Sequence, residues 1–551
     1  MRQFAMKSEE SRFGTCWLAA LLFVTALVVY GNNWHAAFIL DDVPWVLKNQ
    51  NIHALWPPWM PFLNTSRPVV QWSLALNYAM GGLNVVGYHL VNNLIHALTA
   101  LVLFGVVRRT LRMEKLAPIF GDAADGVGFA VALLWALHPL DTESVTYVIQ
   151  RSESMAGLFA VFTLYCVIRG ATTERAATWN FPAILACALA VGSKPAALVV
   201  PVLVLAYDWT FLAPAWSEPW RRRWRLYVGL MASWLLAAVF LSAGKQEWMG
   251  SAGVMYGSHA ITWLDYAKLQ PGVILHYLRL SLWPDRLCLL YGRPQPPAEL
   301  LLWIQCGVTA ILLIVTAWLL TRKRAVGFLG AWFFITLAPT SSVIPLLHPV
   351  FEHRMYLPLM AVVAVIVCAG YATIHRLPGT GGAKKWLGLG TVVLAGLALG
   401  ATTMRRNMDY GTEVSIWRDT AQKAPTNPDA RYGLGLALAT AGQLDAAGAA
   451  FTETLRLKPD FAQVQYDWGL ALMKAGRETE ALTHFAAALE IDPRYAEAVD
   501  GIGVVLYHQG KLEEAIQRFF EATRLNPDDA QAQHNLAMAL REQRQRSGNQ
   551  N

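Results

Sequence analysis

Apolar runs about as long as a bilayer is thick dominate the first three quarters of this chain, and they limit what it can fold into. Two of them are CWLAALLFVTALVVY, beginning at Cys16, and LLWIQCGVTAILLIVTAWLL, beginning at Leu301. A helix needs about 20 apolar residues to cross hydrocarbon. Only helices and closed barrels satisfy their own backbone polar groups there. Such runs fall near 14–31, 87–107, 126–138, 152–169, 180–193, 195–211, 225–243, 300–320, 325–338, 355–374 and 385–403, eleven in all. From about Tyr410 onward they cease. Only 15% of the residues are charged, against about 25% in soluble domains. The expectation is an all-α protein: a polytopic membrane bundle over 1–409 and a soluble domain over 410–551.

A twelfth stretch, 264–283, contains Asp265, Lys268, His276 and Arg279. Four ionisable groups are costly in lipid, so this segment reads as an amphipathic helix lying at the interface. Charge bias agrees. Residues 410–551 hold 14 Lys+Arg and 19 Asp+Glu, which leaves 31 basic against 19 acidic residues in the rest. With Arg2, Lys7 and Arg12 inside, eleven crossings also place Arg108, Arg109, Arg112 and Lys115, the run Arg221 to Arg225, Arg322 to Arg324, and Lys384 with Lys385 inside, as the positive-inside tendency requires. A twelfth crossing would put Arg322-Lys323-Arg324 outside. The basic excess therefore reflects topology and not nucleic-acid binding. Tryptophans at segment ends (Trp34, Trp45, Trp56, Trp59, Trp283) suit an interfacial belt. The first apolar stretch reads as an uncleaved signal anchor. Six scattered cysteines with no CxxC indicate neither a zinc site nor a disulfide framework.

Pro425, Pro459, Pro493 and Pro527 recur every 34 residues, the period of tetratricopeptide repeats. Gly435, Gly469 and Gly503 recur with them, as do Ala447, Ala481 and Ala515, each followed four residues later by Phe451, Phe485 or Phe519. Three full repeats are expected near 428–459, 462–493 and 496–527, flanked by half-repeats around Trp417 and Leu536. Stacked helix pairs of this kind form an α-solenoid whose concave face suits a polypeptide partner; the alternative is an array that only stabilises the chain or makes it oligomerise.

Chemistry has four candidate places, all in loops that the span count puts outside. The first loop, 32–86, opens with Asp41-Asp42 in FILDDVPWVLKN. Two adjacent acids at the mouth of an apolar helix cost desolvation. Either one is a general base for an acceptor hydroxyl, or the pair holds a divalent cation through oxygen ligands, or they merely start a solvated loop. The same loop leads to Arg67, then to His89, Asn92 and His96, which share one helix face and must look onto protein or a wet cavity. The next loop, HPLDTESVTYVIQRSES, supplies His138, Asp141, Glu143, Arg151 and Glu153, a mixture without compact zinc-ligand spacing. Lys194 stands at a tight corner, and PTSSVIPLLHPVFEHRMYLP brings His348, Glu352, His353, Arg354 and Tyr356. Arginine and lysine on such a rim suit a phosphate headgroup. For each, an interfacial snorkel or structural ion pair is the plainer reading.

These motifs together resemble a family. RPVVQWSLALNY, YHLVNNLIHAL, HPLDTESVTYVIQRSE and EHRMYLP, followed by the repeats, are similar to the transmembrane-and-tetratricopeptide-repeat (TMTC) protein O-mannosyltransferases and to bacterial multi-span repeat proteins of similar layout. Both lie in the GT-C group of lipid-phosphate-sugar-dependent glycosyltransferases. The resemblance implies a GT-C-like bundle in which Asp41 or Asp42 deprotonates a Ser or Thr hydroxyl of a polypeptide acceptor. It also implies a polyprenyl-phosphate sugar donor, with mannose as the family's sugar, bound near Arg67 and the later cations. His89, His138, Glu143, Arg151, Lys194, Glu352 and Arg354 complete the expected donor and substrate site. Two departures stand out: Lys194-Pro195 where relatives show Lys-Glu, and Glu-His-Arg where Glu-Arg is commoner. Expected partners are membrane lipid, the lipid-linked donor and a polypeptide on the repeats, in a bacterial inner membrane with periplasmic repeats or an ER membrane with luminal ones. The rival expectations are the same transfer to a lipid or glycan, a non-enzymatic envelope scaffold, or a transporter.

Overall fold

The structure, a computed structural model, describes residues 2–57, 59–62, 65–173, 177–213, 218–244, 262–292, 297–346 and 348–548. The side chains of Arg2, Lys7 and Arg12, which the topology argument uses, lie outside the described residues. Every regular element among the described residues is helical, and none is a strand. The chain divides into two compact units, one of residues 1–289 and 293–412, the other of residues 290–292 and 413–551.

In the first unit, nine helices among the described residues are long and apolar enough to cross a membrane, and two shorter apolar ones, Thr178–Ser193 and Ala325–Leu337, accompany them. They coincide with the eleven segments expected. Their burial sorts them by role. Val85–Leu111 is buried over 61% of its apolar window, whereas Glu299–Thr321 is buried over 6%. The first is therefore a core helix. The second exposes Leu300, Trp303, Ile304, Ile311, Ile314 and Trp318, a surface that water penalises and lipid tails do not. The segment Trp263–Leu282 is one helix, capped by Thr262. Tyr266, Leu269, Gln270, Val273, Ile274, Tyr277, Leu280 and Ser281 form its buried stripe, while Lys268 and Arg279 lie on the exposed side. It is amphipathic, as expected.

Buried amides tie the helix ends together near the candidate site. Asn33 donates to Asn93 at 3.2 Å and to Thr146 at 3.0 Å. Thr146 donates to Asn407 at 2.9 Å, and Asn407 donates to the Val29 carbonyl at 3.2 Å. Four chain segments remote in sequence thus meet through bonds that have no water to compete with them, which favours one arrangement over its neighbours.

The second unit is a run of helix pairs: Pro428–Thr440 with Leu444–Leu457, Ala462–Lys474 with Glu478–Ile491, and Ala496–His508 with Leu512–Leu525. Each first helix ends at a glycine in the left-handed region, Gly442, Gly476 and Gly510, with φ of 75°, 76° and 76°, where a Cβ is penalised. Within a pair, a Cβ added at Gly469 would lie 2.7 Å from the ring of Phe485 and 3.1 Å from the Ala481 carbonyl. Phe485 is fully buried and has little room to yield. Gly469→Ala is expected to destabilise the repeat unit by about 1–3 kcal/mol through overpacking, read as a lower midpoint in denaturant unfolding followed by circular dichroism.

Candidate active site

The two acids of the first loop are turned apart by the backbone. Leu40 has φ of 44°, a left-handed conformation that a branched side chain adopts only under constraint. Just beyond it the Asp42 amide donates to the Ile39 carbonyl at 2.8 Å, which closes a tight reversal. The reversal sends Asp42 inward. Its Oδ2 accepts the Ile39 amide at 3.0 Å and its Oδ1 accepts the Ile149 amide at 2.7 Å. The side chain is fully buried, and burial pushes its carboxyl up to about 8, against the pull of those amides.

Asp41 faces the other way and is exposed. Its amide donates to the Tyr147 hydroxyl at 2.8 Å. Surrounding protein raises its carboxyl above the usual range, Arg67 draws it back, and the charge of Glu143 pushes it up again. One acid is thus a structural lock and the other a presented carboxylate. Each Asp42 oxygen accepts one backbone amide.

The far end of the same loop and three further loops bring charge to the neighbourhood of Asp41. Arg67 precedes the helix Pro68–Gly81, and its guanidinium makes no hydrogen bond or ion pair among the described residues. Glu143, on the short helix Thr142–Thr146, is fully buried and grips His353: its Oε2 accepts the His353 amide at 2.9 Å and its Oε1 lies 2.8 Å from His353 Nδ1. Burial drives the two in opposite directions, the Glu143 carboxyl upward and the His353 imidazole downward, so the pair favours its uncharged form. Lys194 pairs with Glu153, both largely buried; burial lowers the lysine and Glu153 opposes that, with Arg67 and Arg354 adding to the lowering. Arg354 donates to the carbonyls of Pro349 and His348 at 2.7 and 2.6 Å and lies over the Phe351 ring. His353 in turn feels Lys194, Glu153, Arg354 and Arg67.

Asp41, Arg67, Glu143, Lys194 and Arg354, all singled out in sequence, therefore share one electrostatic neighbourhood. The others are committed to protein. Arg151 is fully buried and donates to Asn92 at 2.6 Å, Asn77 at 2.5 Å and the Tyr88 carbonyl at 2.9 Å. His89 bonds the Ala36 carbonyl at 3.0 Å. His138 accepts the Leu140 amide at Nδ1 and reaches the Ser281 carbonyl with Nε2, and burial lowers it to about 4. Glu352 accepts the Cys288 amide at 2.7 Å. The stripe of His89, Asn92 and His96 proves to be helix-to-helix bonding, with His96 reaching Tyr356 and the Ala136 carbonyl, each at 3.0 Å.

Two residues of the cluster had been seen without a role, Glu153 and His353. The signal for Glu153 was in the sequence: it and Lys194 are opposite charges, each at the mouth of an apolar span, where an unpaired charge is expensive. For His353 the local signal was only the departure to Glu-His-Arg noted above, which says nothing of its partner.

The tetratricopeptide-repeat family matches residues 415–460 and 466–530, within the paired helices described above. Protein O-mannosyl-transferase Tmtc3 of Drosophila melanogaster is 24% identical over 515 residues, covering 79% of this chain and 54% of that protein. A protein O-mannosyl-transferase of Caenorhabditis elegans is 22% identical over 469 residues, covering 80% and 63%. Human protein O-mannosyl-transferase TMTC3 is 25% identical over 206 residues, covering 34% and 21%. The chain thus spans between 21% and 63% of the length of these relatives. They are the group that its loop motifs resemble.

Proposed function

We propose that this chain is a membrane glycosyltransferase that moves a sugar, mannose in the first instance, from a polyprenyl-phosphate lipid to a Ser or Thr hydroxyl of a polypeptide on the external face. The observation that carries this reading is one presented carboxylate, Asp41, within the field of Arg67, which in turn acts on Lys194 together with Arg354. The names of the relatives supply the class of reaction.

Topology supports the same reading. The loops bearing Asp41, Glu143, Lys194 and His353 follow the first, third, fifth and ninth apolar helices in chain order. All four counts are odd, so a chain that crosses at every apolar helix leaves them on one side of the membrane, where they must be to meet. Both shorter helices are needed for this parity. The eleventh helix, Gly381–Asp409, then delivers the repeats to that side as well, where they raise the local concentration of a bound polypeptide.

In the reaction, the acceptor oxygen attacks the anomeric carbon from the face opposite the phosphate, and the configuration inverts. Asp41 takes the hydroxyl proton as that bond forms. The bond from the anomeric carbon to the phosphate oxygen breaks with its electron pair going to the phosphate, where cations stabilise the growing negative charge. Arg67 is the least committed of the three and is assigned to the phosphate first.

The test is reconstitution of the purified chain in lipid nanodiscs with polyprenyl-phosphate mannose and candidate secreted polypeptides, followed by intact-mass measurement. A gain of one hexose that depends on the lipid donor is expected. No mass change with any lipid-linked sugar would refute the proposal.

A further inference from the structure

The transfer just described leaves a proton on Asp41 and a new charge on the departing phosphate, and the structure holds a group suited to the second site. We propose that Glu143 and His353 form a proton relay that delivers a proton to the departing lipid phosphate. This inference rests on the transfer reaction proposed above.

The geometry is that of an oriented imidazole. Glu143 holds the residue at two points, the backbone amide at 2.9 Å and Nδ1 at 2.8 Å. The ring is stacked on Phe351 with centroids 4.9 Å apart and planes 28° apart. These contacts leave the imidazole no freedom to turn. Its other nitrogen, Nε2, makes no hydrogen bond to the described residues, although His353 is only 6% exposed. A fully framed ring with one unused nitrogen is the arrangement that catalytic dyads use. The charged groups around it are Lys194, Glu153, Arg354 and Arg67, three of them the cations assigned to the phosphate. Glu143 is close enough to Asp41 for its charge to raise the Asp41 carboxyl. The dyad therefore shares the electrostatic neighbourhood of the base and of the cations assigned to the phosphate.

The uncharged pair that burial favours carries its mobile proton on Glu143, hydrogen-bonded to Nδ1, with a second proton on Nε2. As the bond to the anomeric carbon breaks, Nε2–H gives its proton to a phosphate oxygen and Glu143 gives its own to Nδ1. The products are protonated lipid phosphate, a neutral imidazole with the proton on Nδ1, and an ionised Glu143. The acceptor proton meanwhile rests on Asp41. Return of that proton to the Glu143–His353 pair, and of the ring to its starting tautomer, resets the site with no net gain or loss of protons.

The experiment uses the full chain in nanodiscs and compares His353→Asn and the near-isosteric Glu143→Gln with the parent between pH 5.5 and 9. General acid catalysis contributes about 10²–10⁴-fold. Each variant is expected to lower kcat by about 100-fold, to leave KM for the lipid donor within about threefold, and to lose the alkaline decline that the parent shows as the pair gives up its proton. A kcat within about twofold of the parent and an unchanged alkaline limb in both variants would overturn the relay while leaving the transfer reaction intact. Nitrogen-15 spectra of the imidazoles test the same claim without turnover. The His353 signal, identified by its loss in His353→Asn, should show the proton on Nε2 at pH 6 and on Nδ1 once the pair deprotonates at higher pH, above the ordinary carboxyl range. A proton on Nδ1 at pH 6 would refute the relay even if no donor were ever found to react.

Discussion

Asp41→Asn is expected to reduce sugar transfer by about 10²–10⁴-fold, the contribution of a positioned general base, with the protein still folded. Asp42→Asn should behave differently, although its side chain is one residue away. Asp42 satisfies two backbone amides, Ile39 and Ile149, from within the protein. An asparagine has one carbonyl oxygen and would turn an NH2 donor toward one of those donors. Leaving a buried donor unsatisfied costs about 1–3 kcal/mol, so Asp42→Asn should lower the unfolding midpoint more than it lowers kcat. Transfer assays and thermal unfolding of both variants separate these outcomes. Equal loss of activity without loss of stability would show that both carboxylates act in the chemistry. The pH dependence has a definite sign. Partial desolvation by the protein around it raises the Asp41 carboxyl above the ordinary range, and the base works only when ionised. The acid limb of kcat/KM should therefore lie at higher pH than for an unperturbed aspartate, with the rate rising through it.

The buried Lys194–Glu153 pair provides the second large effect. Lys194→Met removes a cation and leaves Glu153 with no partner in a largely buried place. Breaking such a pair from one side costs about 3–5 kcal/mol, whereas replacing both members by uncharged groups of similar size is often close to neutral. Lys194→Met is thus expected to unfold easily, and the double variant Lys194→Met with Glu153→Gln should recover most of that stability. If Lys194 serves only the fold, the double variant should also recover transfer. If it faces the phosphate, transfer stays low because an electrostatic contact of a few kcal/mol is missing in the transition state. The second outcome is expected, with the double variant reduced by about 100-fold at near-parental stability.

Which features were legible without tertiary structure follows from the range over which each signal acts. The eleven apolar segments and the amphipathic helix at 263–282 were visible because hydropathy is summed along one helix. The repeats were visible because Pro425, Pro459, Pro493 and Pro527 share one period, and each glycine and phenylalanine of a pair meets its partner within the same repeat. The candidate site was visible only as an inventory. Arg151, His89 and His138 looked like substrate ligands because charged and polar groups near a membrane need a reason to be there. In the structure they are bonded to protein, and Arg151 alone joins Asn92, Asn77 and Tyr88.

By itself the sequence determined the all-helical architecture, the number of apolar helices, the repeat array and the likeness to O-mannosyltransferases. These depend on composition and spacing along the chain. Tertiary structure alone decided which of two adjacent aspartates is presented and which is locked, that Lys194 meets Glu153, and that Glu143 reaches 210 residues along the chain to hold His353. Such pairings depend on which loops converge when the bundle packs. Residues separated by several helices have no shared period to announce them.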